Sequence, residues 1–525
     1  MQKYMGHGDT VCRTDRAGTT GSNGEFYWAG AAGGNTLGSR TMGTGAPSKA
    51  FGYMFDGDGL AEDPDAFEKL GRLGRAMITN AGVIGPKGQP AILTYFGQFI
   101  DHDITRNTDS NPGNLDDFSV ARDDGKLTKN TRDAVLATIK NGRVASLRLD
   151  SLYGETPAMQ ACLRNGRKMK IGKTSADRPF DIPRLADQDA ACGIAGDAKE
   201  PLVGDPRNDE NLVVAQLHLA FLRFHNAIVD RLDPGLNNEA AFAKAQRLTT
   251  LTYQWLVLNH FVRPLCDPDV VTQVLANPVA EHYTRFSGGA QVMPLEFSVA
   301  AFRFGHSMIR PGYRFNANFP QSSLAQLFQF TGRGGMAGGS RLPDSWVIDW
   351  NNFLPDDNAA LIARGIDGQI APGLDRLLVD PGLPPNVRAA MEHLPVRNLR
   401  RSYVLAIPTA QQVLRAMGGQ ANMEPLTQAE LSGFAGGIIA TEGYLDQTPL
   451  WLYILLEAEV RTGRQRLGKL GSHIVAETLI GLLAEDPESV LYAGQGGGGW
   501  SPADEPVFTK PMNGLADMLR FAGVF

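Results

Sequence analysis

The 525-residue sequence is poor in cysteine, with only Cys12, Cys162, Cys192 and Cys266, far apart and in no CxxC pair. A zinc ribbon, a thioredoxin motif and a CxxCH attachment site are thereby excluded, and four cysteines in so long a chain make no disulfide scaffold. Isolated, reduced thiols in a cytosolic protein are expected. An excess of charge of either sign is also lacking. Fifty Lys+Arg against 56 Asp+Glu leave a net charge of −6 and no electrostatic footprint for nucleic acid. No uninterrupted apolar run approaches the ~18 residues of a membrane span. The opening Met1-Gln2-Lys3-Tyr4-Met5-Gly6-His7 has no apolar secretory core, so a soluble, cytoplasmic chain is expected. HExxH, GxSxG and paired ExxH motifs are all missing. The glycine clusters at Gly332–Gly335 and Gly496–Gly499 lack the lysine and the strand–turn–helix setting of a phosphate loop.

What is present is enough apolar material for a large core: 43% of residues are hydrophobic and 20% charged, which rules out overall disorder. Length alone suggests three or four domains, but no internal repeat or linker divides the chain. The expected fold is mostly α, a single large helical domain over residues 61–525 with little β. An extended Gly-rich arm, 1–60, precedes it. Helical periodicity marks one helix through Ile92, Phe96, Phe99, Ile100 and Ile104. A second follows Asp205-Pro206, read as cap and first-turn proline, through Val214, Leu217, Phe221, Ile228 and Leu232. A third runs from near Pro294 to before Pro311, with Leu295, Val299, Phe302 and Ile309 on one stripe. Two more span Leu450–Val460 and Val475–Leu483.

Three segments could carry chemistry. In Gly97-Gln98-Phe99-Ile100-Asp101-His102-Asp103, a helix puts Gln98, Asp101 and His102 on one face. The flanking Phe96, Phe99 and Ile100 draw that face inward, and burying an amide, a carboxylate and an imidazole together needs partners, as a functional pocket would supply. An exposed Asp-His-Asp face is the competing reading. In Phe302-Arg303-Phe304-Gly305-His306, the histidine shares the apolar stripe, which suits an axial ligand to a haem iron or a satisfied core histidine. Arg303, one turn earlier, could pair with a haem propionate. In Gly204-Asp205-Pro206-Arg207-Asn208-Asp209-Glu210, Arg207 and Glu210 stand i, i+3 at a helix entrance, a spacing that capping alone would explain. Together the three supply an axial histidine, an opposing base and a fixed positive charge.

In that order the three segments resemble the distal, distal-arginine and proximal motifs of the animal-type haem peroxidases, the peroxidase–cyclooxygenase superfamily. His218, the run Leu222–Asn226, Asn398-Leu399-Arg400-Arg401, Ile407-Pro408 and Thr448-Pro449-Leu450-Trp451 extend the resemblance over roughly residues 50–525. It implies haem b between the distal and proximal helices, with His306 as iron ligand, His102 as distal base, Arg207 as distal arginine and Gln98 beside the peroxide and anion site. Asp101 and Glu210 stand where ester links to the haem form in mammalian members. Asn211 replaces the methionine of a further link, so that one is not expected. Gln411 stands in the place of the asparagine that accepts a hydrogen bond from the proximal histidine.

The implied activity is a haem-dependent peroxidase reducing hydrogen peroxide and oxidising a small donor: halide, thiocyanate, phenol or metabolite. The alternatives are a dioxygenase-type tailoring enzyme and a non-catalytic scaffold. A dioxygenase of the superfamily carries a tyrosine three residues before the proximal histidine, where this sequence has Arg303. The family's calcium would involve Asp103. With Arg148 at an expected ligand position and Asp150 at a serine position, Arg148 is expected to replace the ion and pair with Asp103.

Overall fold

The computed structural model describes residues 49–79, 88–109, 120, 125–277, 282–283, 292–332, 334–354, 362–377, 385–418 and 423–525. Most of the expected arm, 1–48, and Cys12 with it, lies outside these. Residues 49–60 lie along the body, with Phe51, Tyr53, Met54, Phe55 and Leu60 buried. The fold is mostly α. Its described β structure consists of two-stranded pairs of two or three residues, one of them the parallel match of Phe51–Gly52 with Met293–Pro294.

Two long apolar helices form the centre, Ala91–Ile104 and Leu212–Val229, each buried on nearly every face. Between them Phe99 and Phe221 stack with ring centroids 5.0 Å apart and planes 4° apart, and Tyr253 meets both edge-on. Tyr253 comes from the helix Asn238–Val257. Leu212–Val229 is the one described helix long and apolar enough to cross a membrane, and 83% of it is buried inside the body, as a core helix would be. Leu450–Thr462 and Lys469–Ala484, each longer than the periodicity predicts, complete the core on the far side.

Two expectations change at the level of elements. Asp205 does cap, accepting from the Arg207 N–H, but it caps only a 3-10 turn over Pro206–Asp209. The long helix starts behind a second cap, Asn211, whose side chain accepts from Val214 N–H, and it ends at Val229, short of Leu232. Two short polar residues able to bind their own backbone lie six apart, so the chain enters the helix in two steps. The single helix expected after Pro294 is a π turn over Glu296–Ala300 followed by a 3-10 segment over Ala301–His306. Non-helical backbone at Ala300 (φ −125°, ψ −73°) separates them.

The cysteine expectation is overturned. Cys162, at the end of the helix Pro157–Leu163, is joined to Cys192 across 30 residues of chain, and Cys266 is a buried free thiol. Wide spacing in sequence says nothing about spatial approach, which here is 5.6 Å between Cα atoms, inside the range a disulfide bridges.

Candidate active site

A cleft of about 700 Å³, counting its open mouth, lies between the Ala91–Ile104 helix and the Ala301–His306 segment. Gln98, Asp101 and Thr105 line one wall, and Arg303, Gly305 and His306 the other. Leu93, Phe261, Phe302, Met308 and Ile309 supply apolar surface. A Cβ on Gly305 would meet nothing within 4 Å, so open space adjoins the His306 ring. Four predicted site residues, Gln98, Asp101, Arg303 and His306, thus share one cavity. His102, Arg207 and Glu210 stand one layer behind the distal wall.

That second layer is tightly ordered. His102 is fully buried, and its Nδ1 lies 2.9 Å from the Asn208 side-chain oxygen. An amide oxygen only accepts, so Nδ1 carries a proton, and in the neutral ring Nε2 is the basic atom. Nε2 is buried without a hydrogen-bond partner, 3.4 Å from Glu210 Oε1. The Asn208 amide nitrogen in turn meets His218 Nδ1 at 3.0 Å. Burial lowers the His218 pKa to about 3, so this outer ring stays neutral. Glu210 accepts from Gln98 Nε2 at 2.5 Å, and Gln98 Oε1 accepts from Asn211 at 2.9 Å, linking the buried layer to the cleft wall. Asp101 accepts from Thr105 Oγ1 at 2.6 Å.

Arg207 backs this layer. Its Nη2 donates to the carbonyl oxygens of His102 and Thr105 and to Asp205, and its Nη1 is buried with no partner. Burial would raise the Asp205 carboxyl, but Arg143 and Arg207 together hold it well below the usual carboxylate range. The guanidinium is therefore fixed by an ionised partner and two backbone carbonyls against the helix turn that carries His102.

On the proximal side, Asn398 replaces Gln411 as the partner of His306. Its amide nitrogen lies 3.1 Å from His306 Nδ1, and its oxygen accepts from Arg303 Nη1 at 2.5 Å. With the amide so oriented, Nδ1 is the acceptor. A metal on Nε2 requires the amide oxygen to face an Nδ1–H, and a carbonyl oxygen has lone pairs for both that proton and Arg303. Gln411 instead binds Thr448 N–H and Oγ1 and the Leu445 carbonyl, bracing the loop before the Leu450–Thr462 helix. Arg303 is thereby committed to Asn398 and to the Ser298 carbonyl. Trp451 donates to the Arg303 carbonyl at 3.1 Å and stands edge-on to the His306 ring, 6.3 Å away.

The expected pairing of Arg148 with Asp103 is not formed. Arg148 bonds Asp486, while Asp103 accepts from the backbone N–H groups of Leu149 and Ser151. Burial lifts the Asp103 carboxyl to about 6, offset in part by these two donors and Arg143. The turn that delivers both N–H groups, with Leu149 at φ 60°, aims the Arg148 side chain elsewhere. Asn208, His218 and Asn398 are the functional candidates that residue-by-residue reading left without a role. Each lies within a motif already singled out, so the signal was position beside a predicted site residue.

Residues 75–334 match the family model described as animal haem peroxidase. Human thyroid peroxidase is 28% identical over 208 residues, which is 36% of this chain and 21% of that protein. Human eosinophil peroxidase is 22% identical over 277 residues, 44% of this chain and 38% of that protein. The matches thus span well under half of these relatives' length. Among solved structures, peroxidase A of Dictyostelium discoideum superposes with a TM-score of 0.58 at 15% identity, covering 90% of this chain and 93% of that one. A fatty acid α-dioxygenase of Arabidopsis thaliana gives 0.53 at 14% identity, covering 86% and 73%. These structural likenesses bear on the fold alone. Through residues 75–334, this chain belongs to the animal haem peroxidase family.

Proposed function

We propose that the protein is a peroxidase: it reduces hydrogen peroxide and oxidises a small donor such as a halide, thiocyanate, a phenol or a metabolite. The observation that carries this reading is the buried His102–Asn208–His218 chain, which leaves the His102 Nε2 without a hydrogen-bond partner behind a cleft whose opposite wall bears a histidine. The family implies haem, and the residues fit one. An imidazole at open space, apolar walls and two orphaned buried polar atoms, His102 Nε2 and Arg207 Nη1, suit a flat apolar group with a reactive centre. His306 would hold the iron, with Asn398 and Arg303 setting its ring. Asp101 and Glu210 are the carboxylates available for ester links, and Asp101 is the one on the cleft wall.

Bound haem supplies the redox centre that accepts the two oxidising equivalents of peroxide. The chain's own residues handle charge and protons. His102 Nε2 takes the proton from one peroxide oxygen and returns it to the departing one, so the leaving group is water rather than hydroxide. Asn208 keeps the proton on Nδ1 throughout, which holds Nε2 basic. Arg207, immobile against Asp205, places positive charge behind the distal turn while negative charge develops on the separating oxygens. Gln98 orients small ligands at the wall.

A dioxygenase on the same scaffold is the second reading, since plant fatty acid α-dioxygenases share this fold. Against it, no described residue lining the cleft is a tyrosine. Purified holoprotein is tested for donor-dependent peroxide consumption and, separately, for oxygen uptake with fatty acids. Peroxide turnover with a halide or phenol supports the peroxidase. Fatty-acid-dependent oxygen uptake without peroxide turnover overturns it.

A further inference from the structure

Away from the cleft, three metal-ligating side chains converge. His473 and Glu477 are one turn apart on the Lys469–Ala484 helix, and His282 reaches them from the segment ahead of the Met293–Pro294 strand. His473 Nδ1 and His282 Nδ1 lie 2.8 and 3.1 Å from the same oxygen, Glu477 Oε1. The other oxygen, Oε2, accepts from the backbone N–H groups of His282 and Tyr283 at 3.1 and 3.3 Å. Glu477 and His473 are buried, while His282 is part-exposed and leaves a way in. Burial would raise the Glu477 carboxyl, but hydrogen bonds from both imidazoles hold it down to about 2, so it is ionised under all ordinary conditions.

We propose that His282, His473 and Glu477 bind a divalent transition metal of the zinc class. Two imidazole nitrogens and one carboxylate oxygen are zinc's characteristic three-protein-ligand set, with water in the fourth position. All three ligand atoms lie within 4.8 Å of one another. The two nitrogen–oxygen separations already approach the roughly 3.3 Å expected between ligands about 2.0–2.1 Å from a tetrahedral zinc. On binding, three metal–ligand bonds replace the two Nδ1–H···Oε1 hydrogen bonds. Each Nδ1 gives up its proton to water on binding the metal, and each coordinated imidazole carries its N–H on Nε2. The backbone donors to Oε2 fix the carboxylate from behind, as an outer shell does for a metal ligand.

The consequence is mechanical. The ion would tie the Lys469–Ala484 helix to His282, whose backbone N–H and that of Tyr283 already reach Glu477. The Phe55 ring lies 5.3 Å from that of His282, and Glu296, first residue of the proximal π turn, accepts from Met54 and Phe55 N–H. Zinc would thus staple residues 51–55 and the proximal segment to the core, and it would stabilise the folded chain by mass action.

The test uses purified holoprotein dialysed against EDTA, given a micromolar excess of Zn²⁺ and passed through gel filtration. Zinc per chain is then counted by mass spectrometry, separately from haem iron. The expected result is one zinc per chain, a higher Tm on zinc addition, and loss of both in Glu477→Gln and His473→Ala. His282→Gln, altering the part-exposed ligand, is expected to fold as judged by circular dichroism and to retain less than a tenth of the zinc. Native protein that emerges without zinc, or folded His282→Gln that keeps a full equivalent, overturns the proposal.

Discussion

His102 is useful as a base only while Nδ1 is protonated, and Asn208 is what enforces that tautomer. Asn208→Leu removes the acceptor and leaves the ring free to place its proton on Nε2. The expected outcome is haem retained at native occupancy, with the bimolecular rate of reaction with peroxide falling roughly ten- to a hundredfold, read by stopped-flow absorbance. An unchanged rate would mean that Asn208 has no part in positioning the base. The proximal side teaches a related lesson about what residue types reveal. The family resemblance points to Gln411, yet the helix that carries Asn398 passes next to His306 while Gln411 faces Thr448. Gln98, Asp101 and His102 could be read from the sequence because they share one helix face drawn inward by Phe96, Phe99 and Ile100, and His306 because it shares an apolar stripe. The hydrogen-bond partner of a site residue comes from wherever the backbone returns, and spacing does not encode that.

Among the elements, the Ala91–Ile104 helix was legible almost to its ends because its apolar residues recur at helical period and no glycine or proline interrupts them beyond Gly97. A Cβ at Gly97 would approach the Phe261 ring to 2.9 Å, so the bare backbone at that position lets the helix close on its neighbour. Phe99 then anchors the helix against Phe221 and Tyr253. Phe99→Ala should cost about 3–5 kcal/mol of stability, measured as a lowered urea midpoint, and should also weaken haem retention because Gln98 and Asp101 ride on the same turns. A change below 1 kcal/mol would mean that the stack collapses around the cavity. The proximal segment was less legible. An apolar stripe through Leu295, Val299, Phe302 and Ile309 is satisfied by α, π or 3-10 winding alike, so hydrophobic period alone does not reveal the break at Ala300.

At the scale of the whole molecule, composition suggested free thiols, whereas folding brings Cys162 and Cys192 together. Thiol titration of the denatured chain should gain two reactive cysteines, Cys162 and Cys192, on reduction, with Cys266 already reactive beforehand; Cys162 and Cys192 both reacting before reduction would refute the bridge. Such a bond persists in an oxidising compartment rather than a glutathione-buffered one. The molecule's response to pH is set by buried groups pulling in opposite directions. Burial raises Glu296, Glu457 and Asp150 to about 7. Between their ordinary values near 4 and pH 7 the native state binds more protons than the unfolded chain, so this set makes stability fall as pH rises through that window. Burial lowers His218 to about 3 and His225 to about 4. Below the unfolded value of about 6.5 the unfolded chain binds the extra protons, so the histidines make stability fall as pH drops. Other shifted carboxyls, among them Asp103 and Asp367 raised and Asp205 and Glu477 lowered, add to these slopes, and a single variant can isolate one of them. His218→Gln cannot titrate, so its urea midpoint should decline less than that of the native protein between pH 6.5 and 4.5, whatever its midpoint at pH 8. Parallel profiles for the two proteins would mean that the His218 ring is protonated in the folded state, and the neutral outer ring of the His102–Asn208–His218 chain would then have to be abandoned.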